Sequence, residues 1–545
     1  MKLYTSEHSK MAERYAMDTL GVPSVLLMEH AARGVYEEIL RVFPKPNNYK
    51  FLVLYGPGNN GGDALCLARM LLLRFCSVNM VEVLGPPQTL DGGLQMKFLL
   101  ETIKNADETI KNADGGEYHK VNFLNSSNVL TYIDKDTIVI DGVFGTGFNH
   151  KKNTEMSREV FELFTTLKKS KYIFSIDVPS GLDSDTGELA EWAVSSDCTV
   201  SFIYPKVGLF VSPGSINSGK IKMKSLFFPK EEGAFDTKHE LITPKLIRKL
   251  LEPVKRKRDS HKGTYGHVAI LAPQEGMEGA VALSALAALK SGAGLITVLA
   301  LDEEEGALRR RMTNLIPEVI IRKIKTDELD SAFEKFDSVL AGPGLGVKNA
   351  DKFKKIIKAI DKPLVLDADA LNIISEDLEI FNIIKTKSNI ILTPHPGEML
   401  RLFPETLDVQ SKRLQVLESF LKKHLPNVPC ILLKGYRSML GVLQTEIDKK
   451  DLQDEGKLKQ KYEYKIFINP TGGPSLSKGG SGDVLSGMIA SFCSQGLQIW
   501  QAGILATYLH GLSGDIIAKK RGTEFDTLPT EIINGIGEAV QCLTF

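Results

Sequence analysis

The sequence predicts an α/β protein of two successive domains, each a largely parallel sheet with crossover helices. Two observations carry this expectation. Short apolar runs recur along both halves, each ending in glycine or aspartate and separated by helical segments. The alternation fades once, after Phe227, where Pro229, Gly233 and mixed charges read as a linker, before Thr243 and Pro244 open the first helix of a new unit. The composition agrees: 43% apolar and 25% charged residues supply core for a soluble globular chain and exclude disorder and fibrous repeats. The 67 basic and 67 acidic side chains cancel, which offers nothing to a nucleic-acid partner and leaves a small molecule as the expected one.

In the first half, Asp18 to Val42 carries apolar positions at helical spacing after a Gly21-Val22-Pro23 turn, with Ser24 as the expected N-cap. Strands are predicted at 51–54 before Gly56, at 137–140 before Asp141 and at 172–176 before Asp177. A seven-residue duplication over 102–115 puts Ile103, Ala106, Ile110 and Ala113 on one stripe, which reads as a lengthened surface helix. In the second half, strands are predicted near 267–272, 295–299, 338–341, 363–366, 389–392 and 429–433.

The apolar stretch 279–301 contains Lys290 and a Ser-Gly-Ala-Gly breaker, so helix, turn and strand are expected there and no membrane span. Residues 447–465 are charge-rich and read as an exposed loop or extended hairpin, and the basic run 255–258 as a solvated face. The N-terminus lacks the apolar core of a signal peptide, and six scattered cysteines form no CxxC. A cytoplasmic, reducing location is therefore expected.

Gly56-Pro-Gly-Asn-Asn-Gly61 follows a strand and opens a helix, and it matches GxGxxG with Glu82 about twenty residues on. A dehydrogenase is the first thought. Against it, Asp63 lies in the first turn of the helix, where a pyrophosphate would meet a like charge. Asn59, Asn60 and Asp63 instead suit sugar hydroxyls or a cation. Two further strand ends add Asp141-Gly-Val-Phe-Gly145-Thr146-Gly147 and Asp177-Val-Pro-Ser180. Glycines admit a phosphate closely, while Asn60, Asp141 and Ser180 offer hard oxygens to a cation.

These motifs, with Ser201-Phe-Ile-Tyr-Pro-Lys206-Val-Gly208, resemble the NAD(P)H-hydrate epimerases. The resemblance implies a Rossmann-like three-layer domain over 1–229 and a substrate site at Asn59, Asn60, Gly61, Gly62 and Asp63. A second loop, Gly145, Thr146, Gly147, Phe148, Asn149, His150 and Lys151, is implied with it. Asp177 would be the acid–base carboxylate and substrate contact, and a potassium ion would be held by Asn60, Asp141 and Ser180. Two positions depart from the family pattern: His30 replaces the usual asparagine of its helix, and no arginine follows Gly147.

The densest motif of the chain is Asn469-Pro-Thr-Gly-Gly-Pro474 leading to Lys478-Gly479-Gly480-Ser481-Gly482-Asp483. A glycine cluster opening a helix forms an anion hole from backbone N–H groups, and an aspartate just inside it can take a proton from a hydroxyl attacking phosphorus. Further pieces end strands: Gly342-Pro-Gly344-Leu-Gly346, Asp367-Ala-Asp369-Ala-Leu-Asn372, Thr393-Pro-His395-Pro396-Gly397-Glu398 and Lys434-Gly435-Tyr436. His395 between two prolines suits a substrate contact, and Lys434 a nucleotide phosphate.

Together these resemble the NAD(P)H-hydrate dehydratases, whose fold is a ribokinase-like α/β domain, here over 238–545. The resemblance implies substrate contacts at Ala280, Gly344, His395, Pro396, Gly397, Glu398, Met399, Leu400, Arg401 and Asp483, with Asp483 as the catalytic base. Nucleotide contacts are implied at Lys434, Gly435, Tyr436, Arg437, Ser438, Gly473, Gly479, Gly480, Ser481 and Gly482. The expected function is repair of hydrated NADH and NADPH. The R and S hydrates are interconverted by the first domain, and the S form is dehydrated by the second with ADP or ATP and Mg2+. A homo-oligomer is expected, with no nucleic-acid or membrane partner. The alternative is a small-molecule kinase behind a nucleotide-binding module.

Overall fold

The structure is a computed structural model that describes residues 1–109, 122–124, 126–149, 156–226, 236–271, 274–300, 305–324, 329–347, 350–405, 408–424, 430–443 and 464–544. The chain divides into two compact units, Lys2–Thr237 and Lys238–Phe545, the second also holding Met1.

The first unit is built on a 7-stranded sheet. Its strands are β1 (Lys50–Tyr55), β2 (Ser77–Glu82), β3 (Asn122–Leu124), β4 (Thr137–Gly142), β5 (Tyr172–Ile176), β6 (Cys198–Phe202) and β7 (Lys220–Lys224). They lie in the order β3-β2-β1-β4-β5-β6-β7, all parallel. Both faces of β1 are apolar because both are covered. Phe51 and Val53 join a core with Val35 and Ile39 of helix α2 (Ser24–Val42) and with Leu65 and Leu71 of α3 (Asn59–Leu72), while Leu52 and Leu54 face Leu163, Phe164 and Trp192. A short helix, α1 (Ser6–Arg14), precedes these.

The chain runs outward from β1 to β3 and then returns to β4 on the other side of β1. That reversal makes a topological switch point, and Leu54 pairs with Asp141 there. The Gly56–Gly61 and Gly142–Gly147 turns therefore meet at one place. Ser24 is not the N-cap of α2: Pro23 occupies that position and Ser24 is already helical, because proline fixes the extended entry to the helix. The predicted helix over 102–115 is present to Thr109; the rest of the duplication and the predicted linker at 227–233 lie outside the described residues.

The second unit holds β8 (His239–Leu241), β9 (His267–Leu271), β10 (Leu295–Ala300), β11 (Ile320–Lys323), β12 (Ser338–Ala341), β13 (Leu364–Leu366), β14 (Ile390–Leu392), β15 (Cys430–Leu433), β16 (Met439–Leu443) and β17 (Tyr464–Ile468). Their order is β8-β17-β16-β15-β14-β13-β12-β9-β10-β11. Only β16 runs antiparallel to its neighbours, so this sheet is mixed. The six predicted strands are present. β8, β11, β16 and β17 escape prediction, as do β2, β3, β6 and β7 of the first unit: β8 is only three residues long, two of the four residues of β11 are charged, β16 carries Gly441 at its centre, and β17 lies at the edge of the charged insert. The insert itself, apart from its last two residues, lies outside the described residues.

Helices α4 (Glu278–Lys290), α5 (Pro396–Leu402), α6 (Ser481–Ser494), α7 (Ile499–Arg521) and α8 (Pro529–Thr544) complete the parts that matter for the site. Thr243 caps its helix as predicted, accepting from the backbone of Leu246 with Pro244 following. Residues 279–300 of the apolar stretch are α4, a turn and β10, and no helix among the described residues is long and apolar enough to cross a membrane.

Candidate active sites

A cavity of 440 Å³ opens at the switch point of the first unit. Asn59, Asn60 and Asp63 line it from the start of α3, Gly145, Thr146 and Gly147 from the turn after β4, and Asp177 from the end of β5. The turn is this tight because a Cβ at Gly61 would stand 2.0 Å from the Gly56 carbonyl oxygen. Gly62 packs under Met28, and Phe148 turns its ring into an aromatic cluster with Phe144 and Trp192, so neither lines the cavity. Asn149 is exposed, and His150 and Lys151 lie outside the described residues.

Asp177 adopts φ +64°, a strained left-handed conformation for a residue with a side chain. Its Oδ1 accepts from Lys206 Nζ at 2.5 Å, Ser201 Oγ at 3.1 Å and the Phe202 amide at 3.2 Å. Lys206 is buried to 2% exposure and also donates to the Phe202 carbonyl at 2.8 Å. Sequence reasoning placed Lys206 in a motif but gave it no role. Glu13, Asp91 and Lys10 also line the cavity and were not foreseen. Burial, with the charges of Asp177, Glu13 and Asp91, pushes the Asp63 carboxyl well above its ordinary range, so its expected like-charge repulsion of a phosphate is weakened.

Asp141 and Ser180 are fully buried and do not line the cavity. Asp141 Oδ1 accepts from Ser180 Oγ at 2.5 Å, and Oδ2 from the Ser180 amide and Ser175 Oγ, both at 2.8 Å. Ser180 Oγ in turn accepts from the Phe144 amide at 3.0 Å, and Asn60 Nδ2 donates to the Phe144 carbonyl at 2.9 Å. The three residues predicted as cation ligands are thus joined through one loop. A Cβ at Gly145 would crowd Asn60 Oδ1 at 3.3 Å.

In the second unit Lys434, at the end of β15, is the hub. Its Nζ lies 2.5 Å from Asp367 Oδ1 and 3.7 Å from Glu398 Oε2, and a Cβ at Gly482 would lie 3.3 Å from it. Burial opposes its charge, yet Asp367, Glu398 and Asp483 outweigh burial and raise its pKa. Asp483 sits in the first turn of α6. Burial first, then Asp367, Asp369 and Glu398, push its carboxyl up to about 7 against the pull of Lys434. His395 caps α5: its Nδ1 accepts from the amides of Gly397 at 3.0 Å and Glu398 at 3.3 Å, while Glu398 Oε2 accepts from the His395 amide. Burial depresses the pKa of His395, and Lys434 and Arg401 add to this against Glu398.

Arg401 reaches the site through Asn372, donating at 3.0 Å to its Oδ1, and Asp369 accepts from the Gly346 amide at 2.9 Å. Gly344 is held by the Gln274 amide at 2.7 Å. Ala280 joins Asp483 through Ser284, whose Oγ donates to both carbonyls. Met399 is buried in the core and Leu400 points out. Among the residues expected to meet the nucleotide, Ser438 Oγ closes on Gly435, Arg437 donates to the Pro470 carbonyl at 2.8 Å, and Gly473 lies beside Glu524 and Asp515. Gly480 caps α6, Gly479 faces open space, and Ser481 Oγ lies 3.3 Å from His510 Nε2. Burial drives His510 down to about 4.

One residue carried no sequence signal at all. Arg413 is buried, and its guanidinium donates to the carbonyls of Leu433, Lys434 and Tyr436, with no acidic partner among the described residues. Burial lowers it to about 10. It shapes the turn that presents Lys434.

Two families match this arrangement, one on each unit: the YjeF-related protein N-terminus over residues 24–208, and NAD(P)H-hydrate dehydratase over 268–448 and 453–537. The bifunctional NAD(P)H-hydrate repair enzyme Nnr of Moorella thermoacetica is 33% identical over 542 residues, covering 96% of this chain and 93% of that protein. The chain belongs to the bifunctional NAD(P)H-hydrate repair enzymes. The Escherichia coli protein of the same description is 27% identical, covering 96% of this chain and 90% of its own. The ADP/ATP-dependent NAD(P)H-hydrate dehydratase of Bacillus subtilis, crystallised with ATP and Mg2+, is 24% identical with a TM-score of 0.44, covering 56% of this chain and 98% of its own. The YjeF-related match lies on the unit that carries the switch-point cavity, and the dehydratase match on the unit that carries the Lys434–Asp483 cluster.

Proposed function

We propose that Asp483 is the base of the dehydratase and that the glycine turn before it receives the nucleotide phosphates. One observation carries this reading: a carboxylate with a pKa near neutrality at the N-terminus of α6, in one cluster with a buried lysine. Asp483 takes the proton of the S hydrate's hydroxyl as that oxygen attacks the terminal phosphorus of ADP, or of ATP. Hydroxide is a poor leaving group and phosphate a good one. Its elimination restores the ring double bond, giving NAD(P)H, phosphate and AMP or ADP. His395 to Arg401 hold the hydrate, and Lys434 to Ser438 with Gly473 to Gly482 hold the nucleotide.

No group of three His, Cys, Asp or Glu side chains among the described residues is placed to hold a metal ion by itself, so Mg2+ would arrive with the nucleotide phosphates, next to the carboxylates of Asp367, Asp369 and Glu398. When bound, that ion neutralises charge on the transferred phosphoryl group. In the epimerase unit Asp177 is the acid–base carboxylate, oriented by Lys206. Asn60, Asp141 and Ser180 would hold potassium: the set is all oxygen with one formal charge, and Gly145 leaves Asn60 Oδ1 uncovered.

The test is to supply hydrated NADH with ADP or with ATP and follow the near-ultraviolet absorbance of the reduced nicotinamide. Accumulation of a stable phosphorylated hydrate would favour a kinase instead. A cytoplasmic location is part of this reading, because all six cysteines are free, as a reducing compartment leaves them. So is a homo-oligomer, which light scattering on the eluting peak tests.

A further inference from the structure

Besides Asp177, three carboxyl groups line the cavity of the epimerase unit: Glu13, Asp63 and Asp91. Water adds across an enamine double bond of a reduced nicotinamide, so the hydroxyl of the hydrate stands on the carbon bonded to the ring nitrogen. Inverting that carbon by the direct route requires oxygen to leave one face and to arrive at the other. A single carboxylate beside one face serves only half of this. Asp177 has Oδ1 committed to three donors, which fixes where it points.

Glu13 lines the same cavity from α1, a different element. Its helix is pinned in place: Ser6 donates through its amide to Asp185 Oδ1 at 2.5 Å and through Oγ to Asp185 Oδ2 at 2.7 Å. The Glu13 carboxyl itself makes no hydrogen bond or ion pair among the described residues. The charged groups around it are Lys10 on its own helix, Asp63 on α3, Asp91, and the Asp177–Lys206 pair. Burial and the charge of Asp177 raise its pKa against the pull of Lys206 and Lys10, which favours the protonated form.

We propose that Glu13 is a catalytic residue of the epimerase, the proton carrier for the face of the ring opposite Asp177; this rests on reading the cavity as the hydrate site. The C–O bond breaks with its electron pair on oxygen, which takes the Glu13 proton and leaves as water, while the nitrogen lone pair closes a C=N bond. Water adds from the other face and its surplus proton passes to Asp177. The two carboxyl groups exchange roles in the reverse direction, and nothing is oxidised or reduced.

The experiment compares Glu13→Gln, Glu13→Asp and Asp177→Asn in the full chain on purified R hydrate. Glu13→Gln should lose about 10²–10⁴ in kcat with KM within about threefold of wild type, and should lose the limb of the pH profile that falls as pH rises. Glu13→Asp should recover part of the rate. Dehydration of S hydrate should be unchanged in every variant. If Asp177→Asn fails while Glu13→Gln keeps wild-type kcat, or loses only in KM, Glu13 is not the carrier and the cavity reading stands. If both keep wild-type activity, the cavity is not the hydrate site.

Discussion

Replacing Asp483 with asparagine should destroy dehydration and stabilise the dehydratase unit at the same time. Its carboxyl is raised from 3.8 to about 7. Below about pH 4 it is neutral in folded and unfolded chains alike and costs nothing. As pH rises, the unfolded chain ionises freely while the folded chain keeps its proton, so stability drains away until about pH 7 and the full cost is present above. A displacement of that size costs about 4 kcal/mol at pH 8 and about 1.5 kcal/mol at pH 5. Asparagine has the shape of the neutral acid and does not incur this cost. Urea unfolding of the dehydratase unit, in wild type and Asp483→Asn, should therefore show a gain that grows from pH 5 to pH 8, while dehydration falls by about 10²–10⁴ and epimerisation is untouched. A gain that is absent, or the same at both pH values, would refute the electrostatic argument. Dehydration at a comparable rate would refute the assignment of the base.

For the same reason, kcat/KM for S hydrate should rise about tenfold per pH unit below pH 7 and level off above, and His510, already neutral there, should add no limb. Asp177→Ala should repair only the S half of a racemic hydrate and then stall at the spontaneous rate of epimerisation, read as an absorbance plateau. Potassium-free buffer should raise the KM of epimerisation more than it lowers kcat, and a magnesium chelator should leave epimerisation alone. Arg413→Met should raise the nucleotide KM by about tenfold or more, because the Lys434 turn loses its buried donors, with Arg413→Lys recovering part of the loss.

The parts of the site legible in the sequence share one property: they lie at strand ends and are marked by glycine. Gly56 to Gly61, Asp141, Asp177, Ser180 and Lys434 all follow an apolar run, and parallel topology gathers such ends on one edge of a sheet. Lys206 was missed as a functional group because nothing in Tyr204-Pro205-Lys206 says that the lysine turns inward; only the fold buries it against Asp177, 29 residues away. Glu13 stands on a polar-looking helix and would pass for a surface residue. Asp367 was seen at its strand end, but its partner Lys434 is 67 residues away, and only the fold brings them to 2.5 Å. β11 and β16 escape prediction for a local reason: charge or glycine breaks their apolar pattern, and pairing with neighbours supplies what propensity does not.

Ser284 ties α4 to the base-bearing turn, and the two helices cross so closely that a Cβ at Gly487 would stand 2.1 Å from the Ser284 carbonyl oxygen. The wall that carries Ala280 and the helix that carries Asp483 consequently behave as one rigid part. A single methyl group inserted at that crossing would pry the Ala280 wall from Asp483 without touching either. Inactivating changes in this enzyme should therefore include small-residue positions well behind the chemistry, and a survey of damaging variants that looked only at charged groups would overlook them.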